Sequence, residues 1–321
     1  MIKKLLLAAV FLVILFIAVC YIAGLAPSEG TPRICFASEE SRNPEIYSMY
    51  LDGAGRTRLT FTPNGADSVQ PSVSPDGANI AFISNRDGTD NVYVMDKDGK
   101  NTRRITNLVY PYAAISPVWG PDGETLAYIK AVNKRDSFGR PLSLEIFTYG
   151  LKDNKEKQLT SGWELGPNRI DWQRKENKLV FVTGKWGNVN SGFILNPLDT
   201  SKAQPLTPAT PVGYFSFSPD SANKLACAGS LNDGGNDSLD IYIIELKDQK
   251  VSFKRLTSSD HPFNCRQPAW SPDGKNILFT SNKSGAEQIY VMDVNGKNRK
   301  KISAVKTNEY DPAWFPAEAK K

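Results

Sequence analysis

Apolar positions along this chain fall in short runs separated by polar turn residues, and the runs return in a fixed order. Pro268-Ala-Trp270-Ser271-Pro272-Asp273-Gly274 leads to Ile277-Leu278-Phe279, then Ile289-Tyr290-Val291-Met292, then Lys301-Ile302-Ser303. Far upstream, Pro71-Ser-Val73-Ser74-Pro75-Asp76-Gly77 leads in the same way to Ile80-Ala81-Phe82, Val92-Tyr93-Val94-Met95 and Arg104-Ile105-Thr106. The runs are too short, and too rich in β-branched and aromatic residues, for helices, so they predict strands. Ser-Pro-Asp-Gly predicts a type I turn, because Pro presets the backbone at its second position and Gly suits the fourth. Asp98-Gly99 and Asn295-Gly296 predict hairpin turns.

Alignment on Val73, Trp119, Trp172, Phe217, Trp270 and Trp314 gives gaps of 46, 53, 45, 53 and 44 residues. A four-stranded propeller blade needs about 40 to 45 residues, and longer loops at 131–141 and 231–237 absorb the two wide gaps. The pattern therefore predicts an all-β, six-bladed β-propeller of four-stranded blades. The N-terminal copy starts at its second strand, Ile34-Cys35-Phe36, while the C-terminus supplies only a first strand, Pro312-Ala-Trp314-Phe315. Joining the two completes the sixth blade and removes exposed sheet edges. The third repeat departs from the pattern, with Gln173-Arg174-Lys175-Glu176 where the turn phrase should stand.

Trp270-Ser271-Pro272-Asp273-Gly274, Ser84-Asn85-Arg86-Asp87-Gly88, Val92-Tyr93-Val94-Met95-Asp96 and Arg255-Leu256-Thr257 resemble the TolB-type repeats, including the propeller of TolB, the periplasmic component of the Tol-Pal system. The likeness covers residues 33–316 and specifies fold more than function, since propellers of unrelated roles share such repeats. TolB carries an α/β domain before its propeller, whereas here only Pro27–Pro32 separates an apolar leader from the first strand. The resemblance implies a TolB-like propeller in the periplasm that presents a loop face to a protein or cell-envelope ligand.

Met1-Ile-Lys3-Lys4 and the uncharged stretch Leu5–Ala26 read as an export signal. Its apolar length approaches the roughly 20 residues that span a bilayer, and Pro27 would follow the best cleavage pair, Gly24 and Ala26. An uncleaved anchor in the inner membrane is the expectation, ahead of cleavage or of lipidation at Cys20. The lysines precede the span, which directs the propeller out of the cytoplasm. The expected organisation is a leader at 1–26, a linker at 27–32, the propeller at 33–316 and a tail at 317–321.

Net charge is +5, from 39 basic and 34 acidic residues spread along the chain. Lys297-Asn-Arg299-Lys300-Lys301 reads as a solvated outer edge and not as a nucleic-acid stripe, which would interleave aromatics. A monomeric propeller without nucleic acid is expected. Cys35, Cys227 and Cys265 read as small buried residues.

The residues supply little chemistry. One histidine, His261, cannot build the three-histidine metal site of oligogalacturonate lyase, an enzyme propeller with related repeats, and no Gly-x-Ser-x-Gly elbow occurs. Asp96-Lys-Asp98-Gly99 and Asp293-Val-Asn295-Gly296 open like calcium loops but lack the later ligands. The aspartates of Ser-Pro-Asp-Gly serve turns. No catalytic residue, metal or cofactor is expected.

What remains is a surface. The residues that open the innermost strands, Gln70, Ser116, Arg169, Tyr214, Gln267 and Asp311, should form a polar ring at one mouth of the central channel, with Asp67, Asn168, Asn264, Arg266, Glu309 and Tyr310 just outside. Loops on a rigid scaffold commonly carry binding, and Tyr and Arg are favoured anchors. A non-catalytic binding module is the first expectation. The alternative, a carbohydrate- or peptide-active enzyme using the channel, lacks a visible catalytic set.

Overall fold

The computed structural model describes residues 30–63, 65–132, 144–162, 169–183, 191–206, 212–231, 238–248, 250–258 and 263–317. The leader 1–26, Asn168, His261 and most of the two long loops lie outside the described residues.

Six four-stranded antiparallel sheets form the blades. From inner to outer strand, blade 1 is Glu309–Trp314, Arg33–Ser38, Glu45–Tyr50 and Thr57–Arg58; blade 2 is Ser68–Val73, Asn79–Ser84, Asn91–Asp96 and Arg103–Arg104; and blade 3 is Tyr112–Trp119, Thr125–Val132, Leu144–Gly150 and Glu156–Gln158. Blade 4 is Asp171–Gln173, Lys178–Thr183, Ser191–Asn196 and Asp199–Pro205; blade 5 is Val212–Ser218, Ser221–Gly229, Asp240–Lys247 and Lys250–Arg255; and blade 6 is Cys265–Trp270, Asn276–Ser284, Ala286–Asp293 and Lys300–Lys301. The last strand pairs with Arg33–Ser38, Trp314 opposite Ile34 and Ala313 opposite Cys35, so the C-terminus closes the ring as the repeat pattern predicts.

The core is a ring of six seams, one at each blade interface. The closing seam packs Ile34, Phe36, Tyr47 and Met49 of blade 1 against Leu278, Ile289, Val291 and Ile302 of blade 6, with Trp314 among them. Stacked cross-strand aromatic pairs recur in five blades, Phe36–Tyr47, Phe82–Tyr93, Tyr128–Phe147, Phe181–Phe193 and Phe279–Tyr290. Such pairs are the unit of sheet stabilisation.

The sequence signals acquire physical roles. Ser74-Pro-Asp-Gly77 and Ser271-Pro-Asp-Gly274 close with 2.9 Å bonds from the Gly amide to the Ser carbonyl, and the Asp76 carboxylate accepts from Ser74 Oγ and the Ala78 amide. In four repeats the closing Leu-Thr or Ile-Thr phrase is a latch. Thr60, Thr106, Thr160 and Thr257 each accept a third-strand amide at 2.9 Å and donate to the side chain one residue before it, Glu45, Asn91, Glu145 or Asp240. Gly99 is required twice over. Its φ is +80°, and a Cβ there would lie 2.4 Å from the Leu59 carbonyl of the neighbouring blade. The degenerate third repeat still turns, with Asn177, one residue past the place of the glycine, left-handed at φ 52°.

Candidate functional site: the channel mouth

In five of the six blades the inner strand carries a bulge at the residue before or near a proline, and there the backbone turns left-handed: Gln70 at φ 53°, Ser116 at 56°, Tyr214 at 53°, Gln267 at 51° and Asp311 at 58°. None is glycine. A non-glycine residue in this region costs about 1 to 3 kcal/mol and persists only where its surroundings impose it. A bulge also detaches an amide from the ladder, and that amide needs another acceptor.

For Asp311, Gln70 and Ser116 the acceptor comes from the adjoining blade, and three further inner-strand amides are caught in the same way. Gln267 Oε1 accepts the Asp311 amide at 3.0 Å, Asp311 Oδ2 the Gln70 amide at 3.2 Å, Gln70 Oε1 the Ser116 amide at 2.7 Å and Ser116 Oγ the Ile170 amide at 2.8 Å. Asp171 Oδ2 then accepts the Phe217 amide at 2.6 Å, and Ser216 Oγ the Trp270 amide at 3.0 Å. The circuit is complete: every blade grips the next through an inner-strand side chain. Asp171 and Ser216 take this role where the ring position holds Arg169 or Tyr214, and neither was singled out by the sequence.

Inside the ring lies a channel cavity of about 360 Å³, lined by Gln70, Ser116, Arg169, Tyr214 and Gln267 at the ring level and by Arg174 and Pro219 further along. Arg169 belongs to blade 4, diametrically opposite blade 1, and its Nη2 crosses the mouth to lie 2.6 Å from Asp311 Oδ1. Towards the turn face Arg174 donates to the Val73 carbonyl of blade 2 at 3.0 Å. Both arginines come from the blade that lost its turn phrase, so the departure at Gln173-Arg174 was the available signal for Arg174.

The sequence-predicted residues thus separate. Gln70, Ser116, Gln267 and Asp311 are brought together as members of the interblade circuit. Burial raises the Asp311 carboxyl above its ordinary range, a push that Arg169 opposes. The Arg266 side chain makes no hydrogen bond or ion pair among the described residues, and its Nε is buried without a partner. Tyr214 and Tyr310 are half-buried, and burial raises both phenols. Glu309 is not at the surface. It is 0 % exposed and lies 2.6 Å from Arg56 Nη1, so its carboxylate faces the protein interior and not a ligand. Burial raises its carboxyl too. Among the described residues no group of three or more His, Cys, Asp or Glu is placed to hold a metal ion.

A closed six-bladed propeller with a polar, hydrogen-bonded mouth is the class that fold and site define. The chain belongs to the TolB beta propeller domain family, whose model matches residues 23–165 and 170–320. It is similar to a TolB homolog of Protochlamydia amoebophila, 26% identical over 173 residues, a stretch that spans 50% of this chain and 34% of that protein. Among solved structures it resembles TolB from Acinetobacter baumannii, with a TM-score of 0.73 at 17% identity, covering 92% of this chain and 69% of that one. It also resembles the hydrazine synthase of Kuenenia stuttgartiensis, with a TM-score of 0.71 at 13% identity, covering 91% and 47%. The likeness to these structures is one of fold, and an enzyme shares it.

Proposed function

We propose that this protein is a non-catalytic, extracytoplasmic binding module that presents the channel mouth to a protein of the cell envelope, held at the inner membrane by residues 1–26. Kinship with TolB supports the periplasmic setting. The observation that carries the reading is Arg266, a cation without a partner, beside Tyr214 on a rim that the interblade circuit makes rigid. Arginine and tyrosine on a rigid scaffold are typical binding hot spots. The enzyme reading shares the fold but has no convergent set of nucleophile, base and metal ligands among the described residues to support it.

Truncation tests it. Arg266→Ala should weaken capture of the envelope partner by about 1 to 3 kcal/mol, while its melting temperature moves little because nothing in the fold holds the guanidinium. Asp273→Ala, on the turn face, should loosen its hairpin and leave capture intact. Capture that survives Arg266→Ala and Tyr310→Ala but is lost with Asp273→Ala would remove the site from the mouth.

A further inference from the structure

The charge around the mouth is unbalanced. Burial raises the Tyr310 phenol, and Asp311, Glu39, Asp67 and Glu287 lie close enough to add to that rise. Glu39, Asp67, Asp90 and Glu287 form no ion pair among the described residues; burial raises the carboxyls of Asp67 and Asp90, and the Asp67 charge adds to the rise at Asp90. Glu39 accepts only from Asn308, and Glu287 from Thr280. Against these acids the mouth sets Arg169 and Arg266, with Arg86 beside Ser68 and Arg56 paired to Glu40 and Glu309.

At the centre sits Asp311, its side chain 5 % exposed. Its carboxylate is fixed from two sides, Oδ2 by the Gln70 amide and Oδ1 by Gln267 Nε2, while the ring bulge fixes its backbone. Arg169 approaches that fixed carboxylate from across the channel on a long side chain, its Nη2 2.6 Å from Oδ1. The anion is built into the fold; the cation is draped over it from the far side.

We infer that the mouth is a receptor for a basic side chain, an arginine or lysine on a peptide segment of the partner, and that Arg169 is the chain's own occupant of that site. The inference rests on the mouth reading above and gives it a ligand chemistry. An incoming guanidinium or ammonium replaces Arg169 at Asp311, with no covalent step. Glu39, Asp67 and Glu287 raise the local concentration of cations and speed their approach. Arg169, once released, remains a competitor, so it lowers the apparent affinity by the fraction of time it holds the site.

The test measures fluorescence anisotropy of labelled hexa-arginine and hexa-glutamate peptides with the full chain. If Arg169 holds the site nine-tenths of the time, Arg169→Gln should bind hexa-arginine about tenfold more tightly than the natural protein. Asp311→Asn should abolish binding. Because either change could disturb the ring, Glu39→Gln with Asp67→Asn is the second probe: these rim acids carry no cation, and their loss should weaken hexa-arginine binding and flatten its salt dependence without moving the melting temperature. Binding unaltered by both the Arg169 and the rim variants overturns the inference. Binding of hexa-glutamate that requires Arg169 and Arg266 also overturns it, while leaving the mouth as the site. Spermidine competing as well as the peptide overturns the assignment to a peptide. A partner that binds undiminished when the mouth is altered at Arg266 and Tyr310 defeats the mouth reading itself, which separates the two failures.

Discussion

Trp314 is the tightest test of ring closure. Its indole is 7 % exposed in the seam between blades 1 and 6, and its Nε1 donates to the Ala269 carbonyl of blade 6 at 2.9 Å. Trp314→Ala removes a buried aromatic, which costs about 3 to 5 kcal/mol including the cavity left behind. The unfolding entropy of a roughly 280-residue domain is about 0.6 kcal/mol/K at 2.1 cal/mol/K per residue, so the melting temperature should fall by about 5 to 8 °C. Trp119 supplies the internal comparison. It is 1 % exposed and donates to the Ser72 carbonyl at 3.0 Å, and its replacement should cost a similar amount. The truncations should differ more. A chain ending at Tyr310 loses the Asp311 link to Gln70 and half of the pairing with Arg33–Ser38, which leaves Ile34 and Cys35 on a bare edge. Thermal unfolding followed by circular dichroism should then show a large fall or loss of the cooperative transition. A truncated chain with a single transition at the natural temperature would refute closure by this strand.

Gly99→Ala should destabilise by more than about 1 kcal/mol, because the left-handed backbone and the Leu59 carbonyl both oppose a Cβ; chemical denaturation at fixed m-value checks it. Asp311→Asn separates burial from pairing. Burial raises the folded carboxyl above its unfolded value, so the folded state binds more protons and natural stability should fall as pH rises from about 4 through the raised range. The melting temperature of Asp311→Asn relative to the natural protein should therefore climb from pH ~4 to pH ~7. A relative decline over that window would mean that the Arg169 pair outweighs burial.

Much of the fold was legible because blade architecture lives in the periodic part of the sequence. Trp314 with Ile34 announced closure, and the Leu-Thr phrases marked strand ends whose latching role is a local contact between third and fourth strands. The ring was legible as positions but not as chemistry. Gln70 and Ser116 are not residues that favour a left-handed backbone, and their amides, like that of Asp311, are caught by side chains of the preceding blade, a non-local cause that no local propensity records. The prolines after four of the ring residues, Pro71, Pro117, Pro268 and Pro312, were a partial sign, since a residue before proline avoids the right-handed helical region. Glu309 misled for the same reason. Its polarity suggested solvent, whereas its place in the strand buries it against Arg56. Arg169 and Arg174 could be located by alignment, but their reach across the channel depends on the ring's diameter, which only the assembled blades set.

The most direct measurement of the central claim is site-specific photo-crosslinking in living cells, with a photoreactive residue at position 266 on the mouth and, separately, at position 273 on the turn face. The account predicts a discrete envelope-protein adduct from position 266 that Tyr310→Ala diminishes, and none from position 273. An adduct formed from position 273 and absent from position 266 would contradict it.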